Sequence, residues 1–165
     1  MKPDSIRTIA LGGVISALVM LATYILKIPT FIGYINLGDA AIFASAVILG
    51  PFAGVSAAIG SALADLIGAY GQYAPATFII KGAMGLLAGL VLKKRPNLSL
   101  VGAGVLFAIC EVIMVGGYLI FETIIYDFRT ALAAVPYNSL QAIAGITLGL
   151  VSLPFVRRLR ILQNV

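Results

Sequence analysis

Charge is scarce in this chain: 10% of its 165 residues are Asp, Glu, Lys or Arg, against about a quarter in a soluble domain, which must cover itself with polar surface. Histidine is absent altogether. That excludes Ser-His hydrolysis, histidine-containing zinc sites and histidine proton relays. A single cysteine, Cys110, excludes an intrachain disulfide, and its place in an apolar run reads as a small packed residue rather than a nucleophile. No Gly-x-x-x-x-Gly-Lys-Ser/Thr segment occurs, so ATP hydrolysis by such a phosphate loop is excluded too.

What the chain has instead is apolar length. It is 61% hydrophobic with 18 glycines, and its mean hydropathy is +1.10. These values predict an all-α integral membrane bundle, a single domain over residues 1–165 with six spans joined by short loops. The first span, Thr8 to Leu26, is uncharged and long enough to cross at about 1.5 Å per residue. It exceeds a signal-peptide core, and further spans follow it. Lys27 to Tyr34 reads as a loop, with Pro29 and Gly33 as punctuation. A shortish second span starts at Asp39 and ends at Gly50-Pro51, which breaks the chain before a third from Pro51 to Ala69. Gly68 to Pro75 is a turn-rich loop. The fourth span covers Pro75 to Leu92, the fifth Ser99 to Phe121. A segment carrying Tyr126, Asp127 and Arg129 leads through Pro136 into the sixth, which closes on Arg157-Arg158-Leu159-Arg160.

With six spans the basic residues sort by side. Lys2 and Arg7, Lys93 to Arg95, and Arg157, Arg158 and Arg160 share one face; Lys27 and Arg129 lie on the other. The positive-inside rule makes the first face, and both termini, cytoplasmic. The net charge of +5 is accounted for as a topology signal rather than a nucleic-acid surface, because the basic clusters are short and flank apolar helices.

Against that background the buried ionisable residues stand out. Asp39, Asp65, Lys81, Glu111 and Glu122 lie in or at the ends of apolar runs, where a charge costs at least about 2–3 kcal/mol unless it meets a partner or a polar cavity. Most converge on the outer half, joined by Asn138 and Gln141 at the start of the sixth span; Glu111 is nearer mid-depth. At about 100° per residue, Glu111, Tyr118 and Glu122 share a helix face. So do Asn138, Gln141 and Gly145, and Ser61 with Asp65. Lys81 is placed to pair with Asp39 or Asp65, either to line a ligand site or simply to lock helices together. Asp39 also suits a helix cap, Glu111 a protonated packing carboxyl, and Tyr34, Tyr70 and Tyr73 an interfacial belt. In the first span, Gly12-x-x-x-Ser16 and Gly13-x-x-x-Ala17 are spacings that let another helix approach closely, from inside the bundle or from a partner.

Several segments together carry a family resemblance: Gly33-Tyr-Ile-Asn-Leu-Gly-Asp39, Ile48-Leu-Gly-Pro51-Phe-Ala-Gly54, Gly60-Ser-Ala-Leu-Ala-Asp65, Ala74-Pro75-Ala-Thr-Phe-Ile-Ile-Lys81-Gly82, Gly117-Tyr118-Leu-Ile-Phe-Glu122 and Val135-Pro136-Tyr-Asn138-Ser-Leu-Gln141. In this order they resemble the substrate-binding S component of energy-coupling factor (ECF) vitamin transporters. The resemblance implies a multi-pass protein of a prokaryotic plasma membrane, without cofactor or catalytic activity. It also implies a vitamin site near the outer face, and work with a transmembrane coupling subunit and two cytosolic ATPases. The first-helix positions that match the family's contact with the coupling subunit are Ala10, Gly13 and Ala17. The branch it is most similar to is that for hydroxymethylpyrimidine, a thiamin precursor, or vitamin B6. The riboflavin branch, which carries Lys-Asn where this chain has Ala64-Asp65, is the alternative. A small heteroaromatic ring with hydroxymethyl arms suits tyrosine stacking and polar contacts. The expected site is therefore Tyr34, Asn36, Asp39, Asp65, Lys81, Glu111, Tyr118, Glu122, Asn138 and Gln141. Two rivals come from other classes. One is an intramembrane aspartyl protease pairing Asp39 with Tyr126-Asp127, which requires the two carboxyls to share a proton. The other is a stand-alone carrier or channel.

Overall fold

The computed structural model describes residues 3–163, with Lys2 outside them and the side chain of Arg160 likewise undescribed. Six α-helices make up nearly all of it: α1 (Pro3–Ile25), α2 (Gly38–Leu49), α3 (Ala53–Ile67), α4 (Ala74–Lys94), α5 (Leu100–Ile125) and α6 (Phe128–Gln163). Five stretches are long and apolar enough to cross a membrane, because α2 and α3 together form one such stretch, Gly38–Ile67. That stretch is folded back on itself. Gly50 takes a φ of 58°, in the left-handed region that favours glycine, and opens a 3-10 turn through Phe52. The start of α2 pairs with Lys81 of α4, the turn meets Gly89, and Gly54 of α3 returns to Gly82. So α2 runs parallel to α4 and α3 antiparallel to it. The close approach at the turn needs a second glycine, since a Cβ at Gly89 would sit 2.0 Å from the Gly50 carbonyl oxygen.

Local chemistry sets the helix ends. Ser99 caps α5 by accepting from the Gly102 N–H at 3.1 Å. Lys93 and Lys94 close α4, where cations suit the negative end of the helix dipole. Asp127 caps α6: its Oδ1 accepts from the N–H groups of Arg129 at 2.8 Å and Thr130 at 3.0 Å, and the Thr130 hydroxyl donates to Oδ2 at 2.6 Å. The Thr130 hydroxyl also holds the exposed Asp127 carboxyl below its usual range, so the cap is ionised at neutral pH.

Three sequence expectations are corrected here. The sixth helix does not begin after Pro136; it begins at Phe128, because Asp127 caps it there and Ala131 and Ala134 bury against the bundle, so that Pro136 lies inside a continuous helix. A proline is tolerated in such a helix where neighbours support the freed carbonyl. The fifth helix runs a turn past Phe121, bringing Glu122 inside it. The loop after α1 is also structured. Strands β1 (Lys27–Pro29) and β2 (Tyr34–Asn36) pair antiparallel, Lys27 opposite Asn36, around a turn in which the Thr30 N–H donates to the Gly33 carbonyl at 2.8 Å.

Phe43 and Phe107 stack at 4.0 Å in the centre of the core, with Met84, Leu92, Met114 and Leu153 around them. The outside is apolar: Val101, Val112, Ile124 and Val151 are all more than 70% exposed. A large apolar surface of this kind suits lipid rather than water. The two ends differ. The α2–α3 turn, Lys93 and the Leu98 carbonyl, which accepts from Arg157 at 2.7 Å, lie at one end. The ribbon, the α3–α4 loop and Asp127 lie at the other.

Helix α1 lies parallel to α3, with Ser16 and Gly60 in backbone contact. Gly60→Val places a Cβ 2.4 Å from the Ser16 carbonyl oxygen, so it lowers stability by about 1–3 kcal/mol, as overpacking does. Gly13→Val meets no atom within 4 Å and stays within about 0.5 kcal/mol of the parent. Thermal unfolding of the two variants in detergent checks the contrast.

Candidate functional site

A polar centre lies at the ribbon end, assembled from β2, the α3–α4 loop and the near ends of the six helices. Asp39, in the first turn of α2, is fully buried and makes no cap bond. Its carboxylate instead forms an ion pair with Lys81 of α4, itself 2% exposed, and accepts from Gln141 Nε2 of α6 at 2.6 Å. Gln141 Oε1 accepts in turn from the backbone N–H of Asn36 at 2.9 Å and from its Nδ2 at 3.1 Å. The chain Asn36–Gln141–Asp39–Lys81 thus ties β2, α6, α2 and α4 together. It forms the floor of a cavity. Lys81 Nζ stands 5.7 Å from the Tyr118 ring centre, and the hydroxyls of Tyr118 and Thr77 are 2.9 Å apart.

The roof is aromatic. Tyr34 donates its hydroxyl to Asp65 Oδ1; burial first, and then the Asp65 carboxylate, push its phenol well above the ordinary range, so it remains a donor throughout neutral pH. Tyr73 is likewise raised, mainly by burial. Its hydroxyl donates to the Ile32 carbonyl at 2.8 Å and lies 3.3 Å from Glu122 Oε1. Tyr34 packs on Tyr70 at 4.7 Å, and Tyr73 on Phe121 at 5.4 Å. Lys27, 4.5 Å over the Tyr24 ring, donates to the Gly68 carbonyl at 3.4 Å and joins the ribbon to the α3–α4 loop.

Of the ten expected site residues, Tyr34, Asn36, Asp65, Lys81, Tyr118, Glu122, Asn138 and Gln141 line this cavity. Asp39 lies behind Lys81. Glu111 lies deeper, and both its carboxyl oxygens lack a hydrogen-bond partner. Gly145 leaves the space that Glu111 and Asp39 share, since a Cβ there would fall 2.5 Å from Glu111 Oε1 and 2.9 Å from Asp39 Cβ. Sequence reasoning missed Thr23 and Thr77 as lining residues. Thr77 was discoverable one turn before Lys81 on the same face, and Thr23 seven residues after Ser16 on one face of α1. Tyr70 and Tyr73, which also suited an interfacial belt, line the cavity.

The cavity as it stands is about 30 Å³, room for roughly one water or two, whereas small-molecule pockets run to about 300–1,000 Å³. A ligand of that size fits only with lining side chains moved apart. Five buried polar atoms of cavity-lining residues have no partner: Thr23 Oγ1, Ser61 Oγ, Asp65 Oδ2, Glu122 Oε2 and Asn138 Nδ2. Unpaired buried polar groups are costly, and here five of them are grouped around one cavity.

Residues 4–158 match the family described as the S component of the ECF-type riboflavin transporter. The chain belongs to this family. The S component is therefore a multi-pass membrane protein. It is also 35% identical over 125 residues, 75% of this chain and 82% of the relative, to a protein of Pyrococcus woesei described only as uncharacterized. It is 33% identical over 102 residues to the thiamine precursor transporter HmpT of Lactococcus lactis subsp. cremoris (strain MG1363), which covers 62% of this chain and 56% of HmpT. The protease reading fails on geometry: Asp127 is an exposed helix cap while Asp39 is buried against Lys81, so no proton is shared between them.

The ion pair yields a stability test. Lys81→Met leaves a buried unpaired Asp39 and costs about 3–5 kcal/mol. Adding Asp39→Leu recovers part of that loss. Thermal denaturation in detergent measures both, and a double variant no more stable than the single contradicts the pairing.

Proposed function

We propose that this S component captures a small heteroaromatic vitamin or precursor, hydroxymethylpyrimidine or a vitamin B6 alcohol, from the outer side of a prokaryotic plasma membrane. It hands the ligand inward in complex with a transmembrane coupling subunit and two cytosolic ATPases. The observation that carries the reading is the set of five unpartnered polar atoms around one tyrosine-roofed cavity. A flat ring stacks on tyrosine faces, and its polar arms satisfy those atoms. Hydroxymethylpyrimidine is favoured by the similarity to HmpT and by the two free carboxyl oxygens of Asp65 and Glu122, which suit a ring amino group. Riboflavin is the second candidate, on the strength of the family's description.

The proposed topology has six passes and both termini in the cytoplasm. Support comes from the gathering of Lys93 and Arg157 at the end opposite the cavity, together with the positive-inside rule. Ala10, Gly13 and Ala17 form the proposed contact with the coupling subunit. Of the two small-residue pairs in α1, Gly12 and Ser16 face α3, where the Ser56 hydroxyl donates to the Gly12 carbonyl at 3.0 Å. Ala10, Gly13 and Ala17 face outward. Release inward by tilting of the whole subunit follows from the same reading.

Titration calorimetry on the solitary chain with hydroxymethylpyrimidine, pyridoxine, pyridoxal, thiamin and riboflavin is expected to give micromolar or tighter binding for one of them, about −8 kcal/mol or better. Absence of heat with all five overturns the proposal. Gly13→Leu is expected to leave that binding unchanged and to abolish co-purification with the coupling subunit; retention of the complex removes α1 from the interface.

A further inference from the structure

We infer that the cavity accepts its vitamin only without negative charge: the heteroaromatic alcohol binds, and its phosphate monoester or carboxylate derivative is rejected. The inference rests on the proposed function and concerns the charge of the ligand rather than its ring. Asp65 and Glu122 line the cavity and Asp39 stands directly behind it, each at most 4% exposed. Among the described residues one cation lines it, Lys81, and that charge is already matched by Asp39. The Gln141 amide holds Asp39 in place at 2.6 Å, so the pair is not free to open toward a ligand. Lys27 does not line the cavity; its ammonium donates to the Gly68 carbonyl and lies 4.5 Å from the Tyr24 ring centre, 5.6 Å from that of Tyr70 and 5.7 Å from that of Tyr34, so it stands beside the roof rather than in the cavity.

The unpartnered atoms point the same way. Asp65 Oδ2 and Glu122 Oε2 are acceptors when ionised, the Thr23 and Ser61 hydroxyls serve in either sense, and Asn138 Nδ2 alone is purely a donor. A phosphate dianion brings further acceptors and two charges to a buried site whose one lining cation is already paired with Asp39, which approaches the costly case of an unpaired buried ion. Protonation of the carboxyls does not rescue it. A neutral acid supplies one hydrogen bond and no positive charge. A hydroxymethyl arm or ring amino group supplies the donors the cavity lacks. Phosphorylated vitamers outside the membrane therefore reach the site only after ester hydrolysis. In that reaction the phosphorus–oxygen bond to the vitamin breaks, one to water forms, the alcohol oxygen takes a proton and inorganic phosphate leaves.

Calorimetry of the full chain in detergent with matched pairs tests this: hydroxymethylpyrimidine and its phosphate, pyridoxine and pyridoxine phosphate, pyridoxal and its carboxylic acid, riboflavin and riboflavin phosphate. For whichever ring binds, the uncharged member is expected to bind at least about 100-fold more tightly. Glu122→Gln is expected to narrow that gap by about tenfold through loss of one like charge. A charged member binding within tenfold of its partner overturns the charge inference and leaves the vitamin-binding function standing. A gap unchanged in Glu122→Gln overturns the role given to that carboxylate. No binding by either member of any pair overturns the proposed function and the inference together.

Discussion

The buried pair between Asp39 and Lys81 is the constraint around which the ribbon end of this bundle is arranged. Two charges removed from water are tolerated only when they meet each other and their remaining hydrogen-bonding capacity is filled. Here Lys81 and Asp39 meet directly, and Gln141 occupies the second carboxylate oxygen. That requirement sets the depth at which α2 begins, the rotation of α4 that turns Lys81 inward, and the face of α6 that carries Gln141. Through Asn36 it also draws the ribbon over the top. The result is a floor of fixed polar groups beneath a roof of tyrosines.

Floor and roof differ in how firmly they are held, and the difference bears on function. The floor is a chain of four side chains on four elements, continuous with the aromatic core through α2 and α5. The roof rests on Tyr34 to Asp65, Tyr73 to the Ile32 carbonyl and Glu122, and Lys27 to the Gly68 carbonyl, bonds made between loops or between a loop and a helix end. Local opening is cheapest where few contacts and short segments are involved. On the proposed reading, a vitamin enters this cavity of about 30 Å³ from the roof side while the charges below stay paired.

Much of this was legible in the residues. Helix order followed from the apolar runs, and Gly50-Pro51 marked the break at which α2 reverses into α3. Asp65, Lys81, Glu122, Asn138 and Gln141 were found because polar groups in apolar helices have few reasons to be there. The boundaries that failed, at Phe121 and Pro136, failed because caps and tertiary burial at Asp127 and Ala131 overrode the local signal. Thr23 was missed for a different reason: it shares a face of α1 with Ser16, but the Ser16 hydroxyl bonds within its own helix, and only the packing of α1 against the cavity gives Thr23 a place in its lining. Depth set Glu111 apart from the other carboxyls, near the middle of α5, but helical phase, which placed it on the face of Tyr118 and Glu122, could not tell that Gly145 leaves it space beneath the floor.

The central claim is that the ribbon-end cavity is the vitamin site, and the most direct measurement is an experimental structure of the chain with its ligand bound. The account predicts ring density among Tyr34, Tyr73 and Tyr118, polar arms within hydrogen-bond distance of Asp65, Glu122 and Asn138, and the Asp39–Lys81 pair intact beneath. Ligand density elsewhere, such as the apolar groove between Leu26 and Leu140, or a ligand that replaces Asp39 on Lys81, contradicts it.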